Sequence, residues 1–278
     1  MALSLTEGRS KQVWSDRIIR VPTFLYLIVM IIIPLLVILQ DGFREGLPEF
    51  WYQISLPIAR HAIWLTLWTS ALMTMINALM GLMTAYVLTR YEFPGKRMLN
   101  AIVDLPLAIP TLVTGIMLVM LYGPQEVIGN FLLEKLSFQV IFASPGIVIS
   151  LLFISFPFVV RSIQPVLEDL DLTQEYAAAT LGAKPWRIFR KIILPALILP
   201  TLSGSLLSFS RAIGEFGAVV IVAGNIPLKT QTAAVYVLGA VESENRLGAS
   251  AISILLIAIS LLMLMIANVV QRYWGAQR

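Results

Sequence analysis

The sequence predicts an all-α membrane protein with about six transmembrane helices. Of its 278 residues, 58% are hydrophobic and only 13% are charged, whereas a soluble domain carries about 25% charged residues. Uncharged apolar runs of about 20 residues, the length that crosses a bilayer, recur along the chain. The mean hydropathy of +0.84 excludes a disordered chain, a secreted disulfide scaffold and an ordinary cytosolic enzyme.

The six predicted spans follow from these apolar runs, taken in chain order. The first run is too long for a cleaved signal peptide, and no small-residue cleavage site follows it. We expect Pro106 and Pro110 to bend the third span. The fifth run is either one long helix or a helix followed by a re-entrant piece. The runs are residues 21–40, 62–89, 105–125, 136–160, 192–228 and 247–271.

The distribution of basic residues predicts the orientation. Fourteen of the 20 lysines and arginines fall on one side of the six spans, five fall on the other, and Arg211 lies within a span. Because lysine and arginine collect in cytoplasmic loops, both termini are predicted to be cytoplasmic, which an even number of spans requires. The same bias explains the net charge of +4 without a nucleic-acid partner. Residues 1–20 are a cytoplasmic segment, either a short interfacial helix or a solvated basic flank, and residues 21–278 form the transmembrane domain.

The one long polar stretch between spans, residues 161–191, predicts a cytoplasmic helix-turn-helix. Asp171 is placed to cap the first helix, with Gln174 in the capping-box position. Gly182 suits the left-handed residue that ends a helix, and Pro185 suits the first turn of the next helix. Trp186 and a phenylalanine three residues later share one face. This hairpin is either a knob for a partner's groove or a plain connecting loop.

Arg211 and Glu215 are the two charges between residues 192 and 228. A charge inside a membrane is costly, roughly 2.5–3.5 kcal/mol on insertion scales, so both side chains should face protein or a cavity. Four residues apart on a helix, they can pair. They are therefore either a polar element of an anion path or a structural pair. The chain has no cysteine and one histidine, and we expect no metal site, catalytic group or cofactor in it.

Several segments resemble a known family of membrane proteins. Ala177-Ala178, Gly182 and the run Ile192-Ile193-Leu194-Pro195 have the spacing of the EAA loop of bacterial ABC importer permeases. In one departure, the family's glutamate falls on Tyr176, directly after Glu175, which leaves the role of that carboxylate open. Residues 88–95, 104–110, 157–161 and 211–218 are similar to sulfate and molybdate permeases. Residues 164–168 and 223–225 look more like the T-type than the W-type subunit of the sulfate/thiosulfate importer.

This resemblance implies a type I ABC importer permease in the bacterial inner membrane, moving sulfate or thiosulfate. Its implied partners are two ATPase copies that hold ATP and Mg²⁺, a second permease that is the W-type paralogue, and an external sulfate-binding protein, besides membrane lipid. A Gly-x-x-x-x-Gly-Lys-Ser/Thr phosphate loop does not occur in the sequence, so the chain is not itself the ATPase. The implied ATPase-coupling residues are Glu175, Tyr176, Ala177, Ala178, Gly182, Trp186, Ile192, Leu194 and Pro195.

Other functions remain as alternatives. Within the importer class, the substrate could instead be molybdate or tungstate. Outside it, a stand-alone secondary transporter would usually show more intramembrane carboxylates and an inverted repeat. An intramembrane enzyme would need a convergent polar constellation within the spans, where the sequence offers Arg211 and Glu215.

Overall fold

The computed structural model describes residues 20–275, which fold into α-helices joined by turns, without a strand among them. The expectation for residues 1–20 therefore lies almost wholly outside the described residues. The helices are α1 Arg20–Gly42, α2 Leu47–Ser55, α3 Pro57–Arg90, α4 Lys96–Ala108, α5 Thr111–Tyr122, α6 Val127–Leu136, α7 Ser144–Glu168, α8 Leu172–Thr180, α9 Pro185–Ile213, α10 Gly217–Ala223, α11 Ala233–Glu242 and α12 Arg246–Gly275.

Five of these helices, α1, α3, α7, α9 and α12, are long and apolar enough to cross a membrane. The pair α4 and α5 supplies a sixth span if it is counted as one broken helix. The prediction of an all-α membrane protein with about six spans is thus confirmed. Helix α7 lies at the centre, because 61% of its most apolar window is buried, whereas none of the corresponding window of α1 is buried.

Close backbone approach holds α3 and α9 against the central helix α7. A Cβ atom on Gly81 of α3 would lie 2.7 Å from a methyl carbon of Val159, and one on Gly204 of α9 would lie 3.0 Å from the Val159 Cα. Small residues let membrane helices pack at this distance, where van der Waals contact replaces contact with lipid. Gly204 thus brings α9 into close contact with α7.

The predicted third span, residues 105–125, is wrong in its bounds. Helix α4 already begins at Lys96 and contains Pro106, and the chain turns by 112° before α5 begins at Thr111. Pro110 stands at the break in an extended conformation and precedes the first residue of α5. The predicted bend is therefore present, but it is a complete break, because a proline cannot donate the hydrogen bond that would carry the helix across.

The bounds of the fourth and fifth spans also differ from the prediction. Helix α7 begins at Ser144, since residues 137–143 form a loop whose Val140 and Ile141 are buried against Leu118 and Val222. The fifth apolar run divides into α9, which ends at Ile213, the seven-residue α10 and a loop. The structure thus has a helix followed by a short separate piece, the second of the two predicted alternatives.

Candidate functional site

The first helix of the hairpin, α8, begins as predicted. The carboxylate of Asp171 accepts hydrogen bonds from the Thr173 backbone N–H at 2.8 Å and from the Thr173 hydroxyl at 2.6 Å. These two bonds lower the pKa of the Asp171 carboxyl, the hydroxyl bond having the larger effect. The carboxylate is therefore negative where the helix dipole favours an anion. In the described part of the chain, Gln174 returns no capping-box hydrogen bond.

The turn of the hairpin depends on Gly182, which has φ +80°. The Ala183 N–H donates to the Ala178 carbonyl at 3.0 Å, and the Gly182 N–H donates to the Ala179 carbonyl at 2.9 Å. This pair of bonds is the Schellman arrangement, which satisfies the last carbonyls of a helix and requires a left-handed residue. The predicted helix end at Gly182 is thus present in the structure.

The second arm of the hairpin is longer than the short helix that the sequence predicts. Helix α9 starts with Pro185 in its first turn, passes through a π turn at Phe189–Ile193 and continues without a break to Ile213. Trp186 and Phe189 stack with ring centroids 5.7 Å apart, and Phe189 also meets Tyr86 of α3 edge-on at 5.4 Å. The hairpin is therefore continuous with a membrane-spanning helix.

Glu175 points back toward the membrane domain. Its carboxylate pairs with Arg90, the last residue of α3, at 2.5 Å, and both side chains are largely buried. The next residue, Tyr176, occupies the position of the glutamate in the EAA pattern, and its side chain is 67% exposed. The Glu175 carboxylate, whose role the sequence left open, thus attaches the hairpin to α3. The Tyr176 side chain is exposed instead.

Six of the predicted coupling residues lie on the hairpin, Ile192, Leu194 and Pro195 follow it in α9, and the nine differ in exposure. Leu181 at the tip is 89% exposed and Trp186 is 68% exposed, which is unusual for apolar side chains of this size. Ala177, Gly182 and Pro195 are also exposed, whereas Ala178, Ile192 and Leu194 are half-buried. An exposed apolar tip of this kind marks a surface for another protein.

Arg211 and Glu215 form an ion pair at 2.7 Å, although they do not share one helix. Helix α9 ends at Ile213, and Glu215 lies in the turn before α10. Its side chain is 2% exposed and that of Arg211 is 38% exposed. The second Glu215 oxygen accepts the Ala218 N–H at 3.2 Å, in the first turn of α10. Glu215 therefore binds Arg211 and the start of α10 at the same time.

A second ion-pair network, which the sequence did not predict, joins α4 to α7. The guanidinium of Arg161 binds both carboxylate oxygens of Asp104 and the side chains of Asn100 and Gln164. Asp104 and Asn100 on α4 lie 57 to 64 residues from Arg161 and Gln164 on α7, so no local pattern connects the two helices. Asp104 connects α4 to α7 by means of this pair. No group that could hold a metal ion occurs in the residues that the structure describes.

Comparison with known proteins identifies the family. Residues 77–275 match the family described as binding-protein-dependent transport system inner membrane component. A probable sulfate transport system permease protein of Nephroselmis olivacea is 41% identical over 249 residues, which cover 90% of this chain and 87% of the relative. The sulfate transport system permease protein of Escherichia coli strain K12 is 37% identical over 253 residues, or 91% of each chain.

Solved structures share the fold at lower sequence identity. A bacterial alginate ABC transporter in complex with an alginate pentasaccharide-bound periplasmic protein superposes with a TM-score of 0.78 at 16% identity, covering 95% of this chain and 96% of that chain. The MetNI methionine ABC transporter in an inward-facing form gives a TM-score of 0.57 at 16% identity, covering 77% and 94%. The fold and the family match together show that the chain belongs to the binding-protein-dependent transport system inner membrane components, as a multi-pass permease of the ABC importer type.

Proposed function

We propose that this chain is one of two permease subunits of an ATP-driven importer for sulfate or thiosulfate. The observation that carries the substrate is the identity of about two fifths with sulfate permeases over nearly the whole chain. Within the described spans, Arg161 and Arg211 each pair with a carboxylate. The second permease is expected to be the W-type paralogue.

The hairpin of α8 and the start of α9 is proposed to dock into the partner ATPase. Its exposed tip around Leu181, with Tyr176 and Trp186 beside it, offers an apolar knob to a groove. At its base, the hairpin is tied to α3 by the Arg90–Glu175 pair and by the contact of Phe189 with Tyr86. Because the hairpin is fixed to α3 and is continuous with α9, a movement of the ATPase would be transmitted to these two helices.

ATP and Mg²⁺ are proposed to bind to two copies of the ATPase, and sulfate is proposed to arrive on an external binding protein. In the apolar part of α9, residues 192–213, the one charged side chain is Arg211. Arg211 has the guanidinium geometry that suits a sulfate oxygen, but Glu215 occupies one of its donors. We therefore propose that Arg211 and Glu215 are a structural pair that fixes the break between α9 and α10.

Purification of the intact complex tests this proposal. The chain should be co-purified with an ATPase that carries a phosphate loop and with a second permease. In vesicles, uptake of radiolabelled sulfate should require ATP and the binding protein, and excess thiosulfate should compete. Competition by molybdate or tungstate at far lower concentrations than by sulfate would reassign the substrate. Uptake driven by an ion gradient without the ATPase would refute the importer assignment.

A further inference from the structure

The base of α9 presents three cations on an exposed face. Arg187, Arg190 and Lys191 are exposed, and each lacks an acidic or hydrogen-bonding partner within residues 20–275. Together with Trp186 and Pro195 they line a cavity of about 600 Å³. Three unpaired cations around one cavity offer a site for a group of negative charge.

The position of this cavity along α9 is at the boundary of the membrane. Lys191 is the last charged residue before Ile192, and the next charge on this helix is Arg211. The cations therefore end where the apolar span begins. The exposed indole of Trp186 is the kind of side chain that settles at the level of lipid headgroups.

The same face of α9 continues into the span as an exposed aliphatic stripe. Pro195, Ile198 and Leu202 follow Lys191 at intervals of four, three and four residues, which places them on one side of the helix, and all three are exposed. The π turn at Phe189–Ile193 contains Arg190 and Lys191 and ends just before the aliphatic part, and such turns are frequent at functional sites. The face is thus cationic at its cytoplasmic end and aliphatic above it.

We propose that this face binds an anionic phospholipid of the cytoplasmic leaflet. The lipid phosphate would lie among Arg187, Arg190 and Lys191, and an acyl chain would follow Ile198 and Leu202. A headgroup without acyl chains would leave the aliphatic stripe uncovered, and so would an acidic loop of the ATPase. The proposed ATPase surface is centred on Leu181, at the tip of the hairpin, and Trp186 borders both surfaces.

Lipid titration of the intact purified complex, followed by native mass spectrometry, tests this site. We expect dioleoyl-phosphatidylglycerol to be retained in preference to dioleoyl-phosphatidylcholine. Since each cation near a membrane surface contributes about 1 kcal/mol, a single Arg190→Gln change should weaken the preference about fivefold. The triple change Arg187→Gln, Arg190→Gln and Lys191→Gln should weaken it at least tenfold. The single variant also reports if the triple variant fails to assemble.

A charge-matched variant serves as the control. The changes Lys184→Gln, Arg97→Gln and Arg272→Gln remove three other cations from the predicted cytoplasmic side, outside the cavity, and should leave lipid retention unchanged. Equal loss in both triple variants, or no loss in the cavity variants, would overturn the proposal. So would displacement of the bound lipid by inorganic phosphate. Loss of the ATPase instead of lipid from the cavity variants would assign the face to the ATPase. Because bound lipid is counted directly, the result does not depend on which anion the complex transports.

Discussion

Single ion pairs fix the points at which helices of this protein meet. Arg90–Glu175 joins α3 to the hairpin, Arg161–Asp104 joins α7 to α4, and Arg211–Glu215 spans the break between α9 and α10. Replacing one partner of a buried pair leaves the other charge unpaired, which typically costs about 3–5 kcal/mol. An exposed pair contributes only about 0–1 kcal/mol, since water screens it. This difference makes the role of each pair measurable.

The Arg90–Glu175 pair is expected to stabilise the hairpin. Arg90→Gln should lower the midpoint of thermal unfolding of the complex in detergent, because Glu175 would remain largely buried without its cation. Lys96→Gln is a matched control, since Lys96 pairs with Glu92, whose side chain is 88% exposed. The control should leave the midpoint nearly unchanged. Equal midpoints for the two variants would contradict a structural role for the Arg90 pair.

The Arg211–Glu215 pair is best tested by a double change. Arg211→Gln should reduce assembly of the complex, because Glu215 is left unpaired at 2% exposure. Adding Glu215→Gln should restore both assembly and sulfate uptake, since a glutamine oxygen can still accept the Ala218 N–H. Assembly is measured by co-purification and uptake in vesicles. Restored assembly without uptake would show that Arg211 itself belongs to the anion path.

At the scale of elements, we expect docking of the hairpin to the ATPase to depend on its shape as well as on its exposed side chains. Its first helix has a side-chain cap at Asp171 and a Schellman turn at Gly182, and its second helix continues into the span. The turn therefore fixes the angle between α8 and α9. A change in the backbone of the turn should alter docking even where no contact is lost.

Gly182→Leu should weaken ATPase docking or uncouple ATP hydrolysis from uptake. No atom within 4 Å would clash with a new Cβ at this position, so the effect comes from φ +80°, which costs an ordinary side chain roughly 1–2 kcal/mol. Gly182→Asn is the control, because asparagine tolerates this conformation, and it should retain most coupling. ATPase activity and uptake measured in the same vesicles decide the outcome, and normal coupling in the Leu variant would count against the turn.

At the scale of the whole molecule, the chain is a bundle around α7 whose basic loops are predicted to lie on one side of the membrane. The termini are predicted to be cytoplasmic because residues 1–20, 90–97, 161–191 and 272–278 together carry 14 of the 20 lysines and arginines. Reporter fusions at Gln139 and Leu228 should therefore report an external position. Fusions at Gly95 and Thr173 should report a cytoplasmic one. A consistent reversal at these four sites would refute the topology.

Sulfate affinity is expected to reside in the external binding protein. A dianion needs several fixed donors to replace its water, and Arg161 and Arg211 are each engaged in an ion pair with a carboxylate. Isothermal titration of sulfate into the isolated pair of permeases should show no heat of tight binding. Micromolar affinity in that experiment would require an anion site that the two permeases form together.

Hydropathy predicted the number of spans well and their bounds poorly. Residues 137–143 and 217–223 are as apolar as a span, but Val140, Ile141 and Val222 are buried against protein. An apolar run does not distinguish burial in protein from burial in lipid. The break at Pro110 has the same origin, because the apolar residues continue across it.

The hairpin was predictable because its signals are local, whereas the ion pairs were not. Asp171, Gly182 and Pro185 each act on backbone groups within a few residues. Glu175 and Arg90 are 85 residues apart, and Arg161 and Asp104 are 57 apart. Such pairs depend on how α3, α4 and α7 pack, which no single-sequence pattern contains. Arg211 and Glu215 were found because they are close in sequence.

Helix α9 is continuous, so a movement at one of its ends displaces the other end. Its 29 residues extend for about 43 Å at the usual rise of an α-helix, so a tilt of about 5° at one end moves the other by about 4 Å. The cytoplasmic end carries the hairpin, and the membrane end stops beside Arg211 and Glu215, where α10 starts a separate axis. We therefore expect a small rotation at the hairpin end of α9 to produce a larger displacement at the break between α9 and α10.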